Sequence, residues 1–196
     1  MNTLINSITQ RYSKQGLWSL FLVCAFPLHL WALILIFRDM DWVIERTNVW
    51  DAIGVGSYGL VFALAESLVI FVVIALLGFL TPAHWEIDRR IAFLSLLVII
   101  TALWGMISQL RFLWHISLPS PVLQLIAQSE HPLRLLYAIS LAIVLPTVLL
   151  PVYLFTRSNK SVKFMQELTE RLSMLTLSYL LFDLLGLVII IIRNLS

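Results

Sequence analysis

Five apolar runs, separated by short polar connections, dominate the pattern of hydrophobic and polar positions along the chain. The runs cover residues 16–37, 57–80, 91–116, 133–155 and 172–192. A helix needs about 20 apolar residues to cross a bilayer core of about 30 Å. Because lipid offers the backbone no hydrogen-bond partners, each run can satisfy its own backbone N–H and C=O groups only as a helix. The pattern therefore predicts an all-α bundle of five transmembrane helices.

The composition agrees with a membrane protein and excludes other classes. Apolar and aromatic residues make up 60% of the 196 residues, charged residues make up 12%, and the mean hydropathy is +0.95. An ordinary soluble domain carries about 25% charged residues. The formal net charge of +2 is too small to indicate a nucleic-acid partner. We expect one integral membrane domain over residues 1–196, surrounded by the lipid bilayer.

Lysine and arginine are unevenly divided between the two sets of tails and connections. Cytoplasmic connections carry the excess of these residues in membrane proteins. One set holds eight of them and the other holds five. The eight are Arg11, Lys14, Arg89, Arg90, Arg157, Lys160, Lys163 and Arg171, and the five are Arg38, Arg46, Arg111, Arg134 and Arg193. The bias predicts a cytoplasmic N-terminus and an external C-terminus in the cell membrane.

Two outer connections are predicted to rest on the membrane surface. In the first, residues 38–56, acidic residues such as Asp39 and Asp41 alternate with apolar ones such as Trp42 and Val43. This alternation predicts an irregular loop with a short interfacial helix. The second connection, residues 117–132, contains three prolines and an apolar cluster that favours the same location.

Four ionisable residues lie well inside the apolar runs, away from their last two positions at either end: His29, Glu66, Arg111 and Asp183. Such residues are costly in a membrane, so they usually mark a functional site or a structural pairing. At 1.5 Å of rise per residue, His29, Glu66 and Asp183 lie about 12 to 13 Å below the outer ends of their spans. Arg111 lies about 7 Å below. We predict that the four residues form one polar layer in the outer half of the bundle.

Smaller polar residues share helix faces with this layer. Residues three or four apart lie on one face of a helix, and this spacing recurs in the second, third and fifth runs. Small and polar residues let membrane helices approach closely and hydrogen-bond across the gap. The residues predicted to support the layer are Ser67, Ser108, Thr176 and Tyr179.

The polar layer has three interpretations between which the sequence does not decide. In a structural role, Glu66 and Asp183 pair with Arg111 or His29, or stay protonated and bond to neighbouring hydroxyls. In a titrating role, the two carboxyls carry protons or bind cations, because a low dielectric raises the pKa of a carboxyl. The third interpretation is catalysis.

The sequence contains no recognised motif of an intramembrane enzyme. There is no G-x-S-x-G elbow, no H-E-x-x-H pair and no glycine-rich phosphate loop. Cys24 is the single cysteine, so there is no thiol pair. His29 and His115 lie at different depths, which is unsuited to two ligands of one haem. We expect no cofactor and no metal, and the missing motifs weigh against an enzyme.

These observations favour a membrane-embedded binding or assembly component that packs against a membrane-protein partner or a second copy of itself. Short connections and the missing catalytic motifs support this interpretation. The alternative is a small transporter or channel-like protein that uses the polar layer for an ion, a proton or a small solute. The lack of an internal repeat counts against a transporter that acts alone.

Overall fold

A computed structural model describes residues 11–195, and it describes residues 156 and 157 by backbone alone. Residues 1–10 and 196 of the predicted domain lie outside this range. Between Lys14 and Leu195 the chain forms six α-helices and no strand, which confirms the all-α class. The helices are α1 Lys14–Arg46, α2 Val49–Leu77, α3 Ile87–Leu113, α4 Ser120–Ala127, α5 Pro132–Arg157 and α6 Asn159–Leu195. A 3₁₀ turn, Gly78–Leu80, follows α2 directly.

Five of these helices, all except α4, are long and apolar enough to cross a membrane. The prediction of five spans is therefore confirmed, and the chain is treated below as membrane-embedded. Two helices are much longer than a bilayer requires, since α1 has 33 residues and α6 has 37. At 1.5 Å per residue they measure about 50 and 55 Å, against a core of about 30 Å.

The prediction for the first outer connection, residues 38–56, was wrong. The structure has no irregular loop with an interfacial helix there. Helix α1 continues to Arg46 and α2 begins at Val49, so the break is two residues long. No glycine or proline lies between residues 38 and 49 to end the helix earlier. Asn48 starts α2 by accepting a hydrogen bond from the Asp51 backbone N–H at 2.9 Å. The two helices therefore form a continuous hairpin.

Helix α1 is the centre of the bundle and packs against α2, α3 and α6. The antiparallel α1–α2 contact is close because Gly56 and Gly59 of α2 face the side chain of Ile36. Helices α2 and α6 approach equally closely, since a Cβ on Gly186 would lie 3.3 Å from the Ser57 carbonyl oxygen. At the outer end, Arg193 pairs with Asp51 at 2.8 Å.

The buried core lies toward the end of the bundle at which α1 begins, here called the inner end; α1 ends at the outer end. A first apolar cluster joins α1, α2 and α3, and a second joins α3, α5 and α6. The first contains Tyr12, Leu20, Val23, Cys24, Ile74, Ile91, Leu94 and Val98, and the second contains Ala92, Phe155 and Met165. In the outer half, by contrast, much of α3 and α5 is exposed.

Tyr12 ties the segment before α1 to the end of α2. Its hydroxyl donates a hydrogen bond to the Ala75 carbonyl oxygen at 2.6 Å, and its ring meets Phe79 edge to face. Burial raises the pKa of Tyr12, so the phenol stays protonated as the donor. Gly78 makes room for this contact, because a Cβ there would overlap the Tyr12 hydroxyl.

Helix α5 lies at the periphery. None of its most apolar window is buried, although Phe155 at its inner end belongs to the core. Pro146 and Pro151 lie inside α5, which nevertheless runs as one helix from Pro132 to Arg157. Halfway along it, the Trp104 indole N–H of α3 donates to the Thr147 hydroxyl at 2.9 Å.

Candidate functional site

Helices α1 and α6 run parallel to each other, and three polar contacts join them. In each contact the two residues are 154 positions apart in the chain. On each helix the contacts follow a spacing of three and then seven residues, which keeps them on one face. The contacts are Ser19 Oγ to Ser173 Oγ at 3.4 Å, Thr176 Oγ1 to the Leu22 carbonyl at 3.0 Å, and His29 to Asp183.

His29 and Asp183 form the candidate site in the membrane interior. The His29 Nε2 atom lies 3.0 and 2.9 Å from the two carboxyl oxygens of Asp183. The other ring nitrogen, Nδ1, lies 2.8 Å from the Ala25 carbonyl oxygen. His29 is 0% exposed and Asp183 is 3% exposed, so the pair is sealed from both lipid and water.

The hydrogen-bond partners fix how many protons this pair can hold. A carbonyl oxygen only accepts, so Nδ1 of His29 must carry a proton and donate it to Ala25. One further proton then lies between Nε2 and Asp183, either on the imidazole or on the carboxyl group. The pair is neutral overall in both cases, and it therefore needs no further counter-ion in the low dielectric of the bundle.

Two of the predicted supporting residues belong to the same contact between α1 and α6: Tyr179 lies against His29, and Thr176 lies two turns before Asp183. The Tyr179 ring stacks on His29, with centroids 6.0 Å apart and planes inclined by 13°. Thr176 is fully buried, and its hydroxyl lies between the carbonyls of Leu22 and Leu172 at 3.0 and 2.8 Å. The candidate site therefore belongs to a polar contact surface that joins α1 to α6.

Glu66 lies elsewhere on the bundle. Ile36 of α1 faces Gly56 and Gly59 of the antiparallel α2, which places Glu66 about level with Leu28, close to the depth of His29. It nevertheless points outward and is exposed. It lines a groove of about 300 Å³ between the outer halves of α1 and α2. Among residues 11–195 its carboxyl has neither a hydrogen bond nor an ion pair.

The structure does not bring Arg111 to the other charged residues. Arg111 is half-buried near the end of α3, two residues before Leu113. Ser108, one turn earlier on the same helix, is exposed. Ser67 is buried, and its hydroxyl donates to the Ala63 carbonyl of its own helix at 2.6 Å. Of the four residues of the predicted layer, only His29 and Asp183 meet.

Sequence reasoning missed a buried cation at the inner end, Arg90, which it treated only as a topological signal. Arg90 is 1% exposed, and its guanidinium has no carboxylate partner within residues 11–195. It donates to the Thr81 hydroxyl at 2.8 Å and to three carbonyls. These belong to Arg11 at 2.6 Å, Pro82 at 3.2 Å and Trp85 at 3.3 Å. Adjacent residues of a helix point about 100° apart, so the sequence could have indicated that Arg89 and Arg90 differ in burial.

No protein-family model, no curated protein and no solved structure matches this chain. The fold and the site define a class by themselves: an all-α bundle with five helices long and apolar enough to span a membrane, in which α1 and α6 bury a histidine–aspartate contact.

Proposed function

We propose that the protein is a membrane-embedded assembly component that binds a transmembrane helix of a different protein through α2. One observation carries the proposal: Glu66 is exposed near the middle of a membrane helix and has no partner among the described residues. The surface around it, here called the α2 stripe, consists of Val55, Phe62, Glu66, Val69 and Val73.

The α2 stripe is apolar except for its one carboxyl. Its residues recur at intervals of seven, four, three and four, so they share one helix face, and all five are exposed. A charged side chain at the bilayer centre costs about 2.5 to 3.5 kcal/mol on insertion scales. A neighbouring helix that donates a hydrogen bond or supplies a positive charge to Glu66 would remove much of that cost.

The depth of Glu66 favours a different protein over a second copy of this chain. Gly16 contacts Ile91 at the inner end, and Leu28, level with Glu66, lies 12 residues or about 18 Å above Gly16. Arg111 lies 20 residues or about 30 Å above Ile91. In a parallel dimer, Arg111 of one copy would therefore lie about 12 Å closer to the outer surface than Glu66 of the other copy, which is too far for an ion pair. We infer a partner helix that carries lysine, arginine or histidine at the depth of Glu66.

The His29–Asp183 contact is satisfied within the isolated chain, where it joins α1 to α6, so it leaves Glu66 and not Asp183 as the carboxyl available to a partner helix. The transporter alternative loses its main support, since the predicted four-residue layer is not assembled. We keep the predicted orientation as part of the proposal, with the inner end in the cytoplasm and the protein in the cell membrane.

Site-specific photo-crosslinking in intact cells tests the proposed partner. A photo-reactive residue replaces Val69, which lies on the α2 stripe three residues from Glu66. The matched control is Leu68, which is also exposed but lies on another face of α2. We expect the probe at position 69, and not the probe at position 68, to capture one transmembrane peptide that contains a basic residue.

The same probe is then combined with changes to Glu66. We expect Glu66→Leu to reduce capture about tenfold, and Glu66→Gln, which retains a hydrogen-bonding carbonyl, to reduce it less. The proposal is overturned by capture of lipid alone, by capture of a second copy of this chain, or by equal capture at positions 68 and 69.

A further inference from the structure

A polar cleft of about 510 Å³ opens at the inner end, between the turn that follows α2 and the first turns of α3 and α6. It is called the inner cleft here. The residues that define it include His84, Trp85, Glu86, Arg89, Asn159 and Lys163. It lies apart from the α2 stripe, and the proposed partner helix makes no use of it.

Two basic side chains from different helices line the inner cleft. Arg89 comes from α3 and Lys163 from α6, whereas Glu86 is the single acidic residue among those that line the cleft. Lys163 forms no salt bridge within residues 11–195. The excess of positive charge, together with the neutral donors of Asn159, suits a phosphate group, which accepts several charge-assisted hydrogen bonds.

Contacts with α3 hold in place the turn that forms one wall of the inner cleft. Arg90 donates to the carbonyls of Pro82 and Trp85, which fixes the backbone of the turn. The Trp85 ring packs edge to face on Phe93, with centroids 5.4 Å apart. The Arg89 guanidinium lies over the Trp85 ring, 5.3 Å from the ring centroid. Arg89 is therefore presented by a preformed frame, which reduces the entropy lost on binding.

The inner cleft lies at the depth of lipid headgroups. Gly16, Ile91 and Thr169 line one neighbouring cavity, which marks a common level at the inner edge of the apolar core. Arg89 is two residues below this level and Lys163 six, or about 3 and 9 Å. The headgroup region extends about 5 to 7 Å beyond the core on each side. Arg89 therefore starts within that region, whereas Lys163 starts about 2 to 4 Å beyond it, and its long side chain can reach back to the headgroups.

We propose that the inner cleft binds the phosphate of an anionic glycerophospholipid in the adjacent leaflet, with Arg89 and Lys163 as its charged ligands. Basic clefts between transmembrane helices suit such headgroups, because each cation near an anionic surface adds to the attraction. Exposed apolar side chains beside the cleft, Leu80 and Phe164, offer a surface for the acyl chains.

Native mass spectrometry of the delipidated full chain tests this site. Phosphatidylglycerol or phosphatidylcholine is added back, and the dissociation constant of the first bound lipid is measured for each variant. We expect the wild type to prefer phosphatidylglycerol, and Arg89→Gln with Lys163→Gln to weaken its binding about tenfold. Arg89→Lys keeps the charge and is expected to retain most of the affinity, which separates loss of the ligand from misfolding.

Lys160→Gln is the matched control, because Lys160 is exposed on the same helix, three residues from Lys163 and outside the cleft. We expect it to change the dissociation constant by less than about twofold. An equal loss with Lys160→Gln would overturn the site, as would equal binding of the two lipids by the wild type. Inorganic phosphate is added as a competitor, and complete displacement of the lipid at millimolar concentration would assign the cleft to a soluble phosphate instead.

Discussion

Asp183 and Glu66 are two carboxyl residues at similar depth in the membrane, and the bundle treats them in opposite ways. Asp183 is buried between α1 and α6, where it contacts His29 and forms a pair that is neutral overall. Glu66 is exposed on α2 without a partner among the described residues. The depth of an ionisable group sets the free-energy cost of placing it in the membrane. The helix face that carries the group determines whether another helix of the same chain can offset this cost.

The two faces differ in their packing. Around Asp183 the helices approach through small or polar residues such as Thr176 and Gly186, so polar atoms reach across the interface. The α2 stripe is built from large apolar side chains that face outward, such as Phe62 and Val69. The first surface stabilises the isolated chain, and the second is suited to contact with another one. Four substitutions sharpen or break this distinction.

The largest effect is expected at Asp183. Asp183→Ala strands the buried His29 imidazole without its partner, and removal of one member of a buried pair costs about 3 to 5 kcal/mol. The free energy of unfolding is measured in detergent by chemical denaturation. Replacing both residues, with His29→Leu and Asp183→Leu, should restore part of the loss because no polar group is then stranded. Additive losses in the double variant would mean that the pair is not coupled.

A second, smaller effect is expected where α6 touches α2. Gly186→Leu forces a side chain against the Ser57 backbone, and overpacking of this kind costs about 1 to 3 kcal/mol. Gly105→Leu on α3 is the control, because no atom outside its own helix backbone lies within 4 Å of a Cβ there. Thermal unfolding in detergent measures both. Equal losses would show that the close α2–α6 approach does not cause the effect; helix propensity favours leucine over glycine and acts in the opposite direction at both positions.

The contribution of one interhelical hydrogen bond is smaller again. Thr176→Val removes the hydroxyl that lies 3.0 Å from the Leu22 carbonyl, which is expected to cost about 0.6 kcal/mol. Thr101→Val serves as the control, because within the described part of the chain that hydroxyl bonds only to Leu97 and Val98 of its own helix. Equal changes in the unfolding free energy would remove Thr176 from the α1–α6 contact surface.

The smallest change in stability is expected at Glu66. Glu66→Gln leaves every described contact of the isolated chain intact, so its unfolding free energy in detergent should stay within about 0.5 kcal/mol of the wild type. Asp183→Asn is the matched amide substitution and should lower that free energy more. A large loss with Glu66→Gln would mean that Glu66 stabilises the chain itself, and the distinction between the two carboxyls would fail.

The helices were predictable because hydropathy and length alone define them. Each of the five apolar runs falls largely within one long helix, since lipid forces it to satisfy its own backbone, although the third run extends three residues past the end of α3 at Leu113. The ends were less predictable. Acidic residues such as Asp39 and Glu45 suggested a surface loop, but charged residues are compatible with a helix that extends into water, and α1 ends only at Arg46.

The site was less predictable than the helices, because a helical pattern fixes relative angles within one helix and not which neighbour covers each face. Glu66 borders the small-residue positions Ala63 and Ser67, so it could have faced inward or outward. The neighbours α1 and α6 cover the adjacent faces of α2 and leave Glu66 outside. The partnership of His29 with Asp183 depends on a register between residues 154 positions apart, which no local pattern contains.

The parallel contact between α1 and α6 has a consequence for biosynthesis. The ribosome delivers α1 to the membrane four spans before α6, so His29 must remain without Asp183 while the intervening helices insert. The bundle thus closes by joining elements from opposite ends of the chain, and a truncated or stalled chain leaves an imidazole without its carboxyl partner.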